Sequence, residues 1–81
     1  MVDTLREEVL RMTLQELRES LGYSIEELAD FLRVSRMAIY IWEEGKATPS
    51  AKNLRKLAIF FNKSMEEILN IVQETQKQRR D

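Results

Sequence analysis

The 81 residues include no histidine and no cysteine. The commonest proton shuttle is therefore missing, and there is no thiolate for zinc or for nucleophilic attack. Acid–base work would fall to carboxylates, of which Glu26-Glu27 and Glu66-Glu67 are adjacent pairs. Both pairs stand where helices should begin, a place where acids stabilise the helix dipole. No nucleophile–base pair or glycine-rich phosphate loop accompanies them, so capping accounts for them. The reading is not an enzyme, with no metal and no cofactor. Recognition chemistry has more support. In the stretch SRMAIYIWEEG, residues 35–45, a serine and an arginine open a segment with an apolar middle, and Lys46, Thr48, Lys52 and Arg55 follow it. Cations and donors suit a polyanion, whereas Met37, Ile39, Tyr40, Ile41 and Trp42 do not.

The net charge of −1 alone argues against a polyanion partner, but the charge is segregated along the chain. Residues 1–32 carry three basic and eight acidic side chains, residues 33–56 six basic and two acidic, and residues 57–81 four of each. A polyanion senses the basic middle more than the total, because exposed charges beyond about 10 Å are largely screened. With 43% hydrophobic and 33% charged residues, two glycines and one proline, the chain reads as one small folded domain with a single core. No apolar run approaches the roughly twenty residues of a membrane span, and no signal-peptide pattern follows Met1. The expectation is a cytoplasmic protein with no membrane partner.

Elements that must position the recognition stretch follow from a repeated local pattern. Thr4–Glu7, Thr13–Glu16, Ser24–Glu27 and Ser64–Glu67 each place a hydroxyl three residues before a glutamate. That spacing lets the hydroxyl accept from a free first-turn N–H while the carboxylate reaches back to the cap N–H. Each precedes an apolar periodicity, which predicts an all-α chain. Leu14, Leu17 and Leu21 form one stripe, closed by Gly22; Leu28, Ala29 and Leu32 form the next. Ser35 caps a third helix that Gly45 stops. A fourth runs from Ser50 to about Phe61, burying Leu54, Leu57, Ala58 and Phe61, and a fifth carries Ile68, Leu69 and Val72. The expected organisation is an N-terminal helical extension over 1–12, a domain over 13–72, and a polar, frayed tail over 73–81.

Helical geometry divides the third helix into two sides. With Ile39 pointing inward and about 100° per residue, Trp42 and Glu43 fall within roughly 60° of it. Ala38 is grouped with them. Met37, Ile41 and Glu44 fall within roughly 40° of the opposite direction, and Tyr40 is grouped with them. Arg36 lies on a flank near the helix start. Ile39 and Trp42 are thus assigned to the core, and Met37, Tyr40 and Ile41 to the outside.

Two short helices joined through a tight turn, the second capped by Ser and ended by Gly, form a helix-turn-helix pattern. The segment SIEELADFLRVSRMAIYIWEEGKATPS resembles the lambda-repressor and Cro type of bacterial and phage DNA-binding domain, the XRE family. Ser24, Glu27, Leu28, Ala29, Val34, Ser35, Ile39, Trp42, Glu43, Gly45 and Pro49 carry the likeness, which covers roughly residues 13–70. It implies a compact five-helix lambda-repressor-like domain, with the extension added before it. It also implies a structural ion pair between Arg18 and Glu43, and a third helix, about 36–44, placed in the major groove of double-stranded DNA. Arg36, Met37, Tyr40 and Ile41 are then the base-contact candidates. An arginine can bind guanine O6 and N7 in bidentate fashion, worth roughly 1–3 kcal/mol of discrimination. Ser35, Lys46, Thr48, Lys52 and Arg55 are the phosphate-contact candidates, which position a domain without reading sequence.

Three positions depart from the family pattern. Ile25 stands where a phosphate-binding Gln is usual, Glu44 where a neutral amide is common, and Arg33 where Gly is common. If residue 33 needs positive φ, a side chain there costs roughly 1 kcal/mol. The primary expectation is a sequence-specific transcriptional regulator acting as a homodimer, because one short helix reads only a few base pairs. Its dimer surface would be Ile68, Ile71 and Val72, or Val2, Leu5, Val9 and Met12; either set could instead complete the core. The alternative is a helix-turn-helix scaffold that grips a protein partner, as an antirepressor or repressor modulator, through Met37, Tyr40 and Ile41.

Overall fold

The computed structural model describes residues 11–79. Five helices occupy them in the order α1 (Leu14–Ser20), α2 (Ile25–Leu32), α3 (Arg36–Glu43), α4 (Ala51–Phe61) and α5 (Met65–Gln78), with no strand among the described residues. The all-α, five-helix expectation holds. Of the proposed N-terminal extension, residues 1–10, including the Thr4–Glu7 pattern, lie outside the described residues.

Helix starts follow the hydroxyl pattern. Thr13, Ser24 and Ser64 each form both bonds of a capping box with Glu16, Glu27 and Glu67. Ser35 and Ser50 cap α3 and α4 alone, accepting from the N–H groups of Ala38 and Asn53 at 3.1 and 3.2 Å. Hydrogen bonds from the Ser64 backbone and hydroxyl hold the Glu67 carboxyl below its ordinary pKa. A lowered pKa means that this contribution is present above the unfolded value and lost as pH falls through the folded one.

Four helix ends share a second motif. Gly22, Arg33, Gly45 and Asn62 adopt left-handed backbone at φ of 80°, 59°, 74° and 56°. In each case that residue and the next donate back to the last turn; after α3, Gly45 N–H reaches the Trp42 carbonyl at 3.1 Å and Lys46 N–H the Ile41 carbonyl at 3.0 Å. Carbonyls that the helix cannot satisfy are thereby paired. Glycine accepts this conformation without strain, asparagine tolerates it, and arginine does not favour it.

The core lies where the five helices converge. Leu14, Leu28, Leu32, Ile39, Leu57 and Ile68 are completely buried. α5 packs on α4 and α1, while α3 is held by α1 and α2. Two leucines depart from expectation. Leu21 is 50% exposed because α1 has already ended at Ser20, so the 3.6-residue stripe no longer applies to it. Leu69 is exposed because the inward stripe of α5 runs through Ile68, Ile71, Val72 and Thr75, and Leu69 falls beside it.

The stretch from residue 73 to Gln78, expected to belong to the tail, continues α5. Thr75 is completely buried within that stretch. Its Oγ1 accepts from Leu14 N–H at 2.8 Å and donates to the Ile71 carbonyl at 2.8 Å. One of the unpaired donors that begin α1 is thus satisfied by the far end of the chain. Gly45 makes the neighbouring contact: a Cβ there would lie 3.1 Å from Gln76 Cα, 3.2 Å from the Thr75 carbonyl oxygen and 3.3 Å from Arg79 Cβ. The end of α3 therefore abuts the last turns of α5 with backbone alone.

Candidate nucleic-acid interface

α3 is placed by three attachments. Ile39 and Trp42 are buried against the core, and the turn from α2 is fastened by Val34 N–H on the Ala29 carbonyl at 3.1 Å. Ala29, 3% exposed, is small where α2 meets α3. The third attachment is ionic. Arg18 Nε donates to Glu43 Oε2 at 2.7 Å and Nη2 to Oε1 at 3.1 Å, while Nη1 donates to the Tyr23 carbonyl at 2.9 Å. Both side chains are buried, and every buried polar side-chain atom among the described residues has a partner. The hydrogen bonds that Arg18 donates to Glu43 raise the Arg18 pKa further, with burial opposing them, so the guanidinium stays charged.

Fixing Ile39, Trp42 and Glu43 inward leaves the other side of α3 in solvent. Arg36 is exposed, Met37 is 64% exposed and Tyr40 is 49% exposed. Ile41 differs from expectation: it is half-buried and packs against the core. That packing means that the outward side of α3 is not open along its whole length. Ser35 is exposed but its hydroxyl caps the helix. The N–H groups of Arg36 and Met37 find no partner among the described residues.

After α3 in the chain, Lys46, Thr48, Lys52 and Arg55 are all exposed. Lys46 and Thr48 share the loop into α4, and Lys52 and Arg55, three residues apart, share a side of its first turns. Glu44 sits 3.9 Å from Lys46 Nζ, a loose and exposed pair. Lys56 takes a structural place instead, its Nζ donating to the Leu32 carbonyl at 3.0 Å. Ile25, the first departure from the family pattern, packs partly against the core.

Two features escaped the sequence reading. One is a surface aromatic cluster: Phe60 lies 4.6 Å from Tyr23 and 5.1 Å from Phe31 between ring centroids, with Phe31 47% exposed. These residues lie on three elements, so no single periodicity reports them. The other is a cleft of about 390 Å³ between the loop after α3 and the end of α5, lined by Lys46, Thr48, Gln76 and Lys77 among others. No group of three or more acidic residues among the described residues is arranged to hold a metal. No helix among them is long and apolar enough to cross a membrane.

α2, the turn through Arg33 and α3, with one face of α3 in solvent and exposed cations in the loop and helix that follow it, define a helix-turn-helix domain of the DNA-binding transcription-regulator type. Comparison with known proteins agrees: residues 14–68 match the helix-turn-helix family, and the chain belongs to it. It is 40% identical over 57 residues to the HTH-type transcriptional activator BcrR of Enterococcus faecalis, covering 70% of this chain and 28% of that protein. It is 41% identical over 58 residues to a putative HTH-type transcriptional regulatory protein of Methanococcus vannielii, covering 72% of this chain and 18% of that one. A similarly named protein of Methanothermobacter thermautotrophicus is 44% identical over 59 residues, covering 73% and 16%. The chain thus spans less than a third of the length of these curated relatives. No solved structure matches it.

Proposed function

We propose that this chain is a sequence-specific DNA-binding regulator of bacterial or phage type, acting as a dimer with α3 in the major groove. The observation that carries the reading is the division of α3: Ile39, Trp42 and Glu43 are locked inward, while Arg36, Met37 and Tyr40 remain in solvent. Arg36 reads a guanine edge, Met37 packs on a thymine methyl group, and Tyr40 stands beside them. Ile41, half-buried, contributes only its exposed part. Lys46, Thr48, Lys52 and Arg55, with the start of α3 at Ser35, hold the phosphates on either side. The regulatory names of the relatives support the role.

Dimerisation follows from the few base pairs that one helix reads. Its surface is not the α5 set, because Ile68, Ile71 and Val72 are buried in the monomer's own core. In the other set, Met12 packs partly against the core, and Val2, Leu5 and Val9 lie outside the described residues.

Selection from a random duplex library, followed by binding to the selected site across a salt series, tests the proposal. The expected result is one enriched, two-fold related motif, with Arg36→Ala losing discrimination of roughly 1–3 kcal/mol at one base pair of each half-site. No binding to any duplex at low salt would sink it. Capture of a protein partner that Met37→Ala and Tyr40→Ala each abolish would then favour the scaffold reading.

A further inference from the structure

The phosphate-contact candidates named above lie at the start of α3, in the loop after it and on the first turns of α4. Here a second element reaches that loop. The last turns of α5 lie against Gly45 at distances that a single methyl group would fill. Gln76 Nε2 donates to Thr48 Oγ1 at 2.7 Å, 28 residues away in sequence. Lys77, exposed, lines the same cleft as Lys46 and Thr48. We propose that the end of α5 is part of the DNA-backbone surface, with Lys77 a phosphate contact and Gln76 a positioning residue for Thr48. The inference rests on the functional reading above.

A hydroxyl carries one proton and two lone pairs. With Gln76 donating to it, Thr48 Oγ1 uses a lone pair on the protein and keeps its own proton for an acceptor outside. A phosphate oxygen is such an acceptor. Lys46 and Lys77 line the same cleft, one from the loop after α3 and one from α5, so a backbone passing the loop meets a cation from each element. The acid nearest to Lys77 on its own helix, Glu74, is engaged by Gln78 Nε2 at 2.8 Å. Arg79 is turned the other way, its Nη2 on Gln15 Oε1 at 2.7 Å, and is not assigned to the surface.

The test is binding of the full chain to a random-sequence duplex over a salt series, which reports phosphate contacts without base readout. Each lost contact should reduce the magnitude of the log–log slope by about 0.9. Lys77→Gln is expected to lower it by that amount, as Lys46→Gln does, whereas Lys63→Gln, beyond the far end of α4, leaves it unchanged. Gln76→Leu should weaken binding several-fold in the wild-type background but not in Thr48→Val, the signature of a residue acting through Thr48. Wild-type slopes for Lys77→Gln, or equal effects of Gln76→Leu with and without the Thr48 hydroxyl, would overturn the inference while leaving the regulator standing. A wild-type chain that binds no duplex would bring down both.

Discussion

Arg18 and Glu43 fix the angle of α3 from a buried position, and their chemistry sets how breakable that is. Removing one partner leaves the other charge desolvated, a cost of about 3–5 kcal/mol, whereas replacing both with apolar groups of similar volume is often neutral. Arg18→Met is therefore expected to lose that much stability in urea titrations, and Arg18→Met/Glu43→Leu to regain most of it. Additive losses in the double variant would refute this account of the pair. The Tyr23 carbonyl loses its donor in both variants, so recovery should fall short of wild type. Arg33 offers the opposite case. It holds φ of 59° with an exposed side chain, so Arg33→Gly should stabilise the domain by about 1 kcal/mol. For a domain of this size that corresponds to a rise of about 4–8 °C in melting temperature. An unchanged or lowered melting temperature would show that the guanidinium stem compensates for its backbone.

Among the elements, the two glycines separate conformational freedom from space. Gly22 and Gly45 both have positive φ, but a Cβ at Gly22 meets nothing within 4 Å, while one at Gly45 runs into α5. Gly22→Ala should cost about 1 kcal/mol for backbone strain. Gly45→Ala should cost that and about 1–3 kcal/mol more for overpacking. Equal denaturation midpoints for the two would mean that α5 yields freely at this contact. The same pair shows what a sequence can disclose. Glycine after a helical stripe announces a stop, and the hydroxyl–glutamate spacing announces a start, because both depend on neighbours in the chain. Close approach between α3 and α5 depends on two elements about 30 residues apart, and nothing local encodes it. Thr75 was missed for a related reason. It continues the Ile68, Ile71, Val72 stripe at the correct interval, yet a hydroxyl in a stretch of Gln, Glu and Lys looks solvated until its partner on α1 is known. Helical angle alone puts Ile41 outside, because it takes no account of how neighbouring elements pack against the core beside it. Of the candidate site, the composition of the α3 face was legible; the contribution of α5 to its border was not.

Across the whole molecule, charge and topology act at different ranges. The net charge of −1 conceals a basic middle, and that middle supplies α3, its following loop and the start of α4. Screening acts over about 10 Å, so the field at this surface is set by the charges around it, with Glu44 beside Lys46 included. Topology brings the chain's two described ends together, because the bond from Leu14 N–H to Thr75 Oγ1 closes a separation of 61 residues. Long closures are entropically unfavourable before other contacts are in place, so this latch should still be open at the folding barrier. Thr75→Val, which keeps the shape and removes the acceptor, should accelerate unfolding about 5- to 30-fold and leave the refolding rate nearly unchanged. Stopped-flow kinetics showing slowed refolding would instead put the meeting of α1 and α5 in the nucleus. On this account the domain lets go first where α1 meets α5, and its lifetime is governed by a buried threonine one residue before the glutamine that borders the proposed backbone surface.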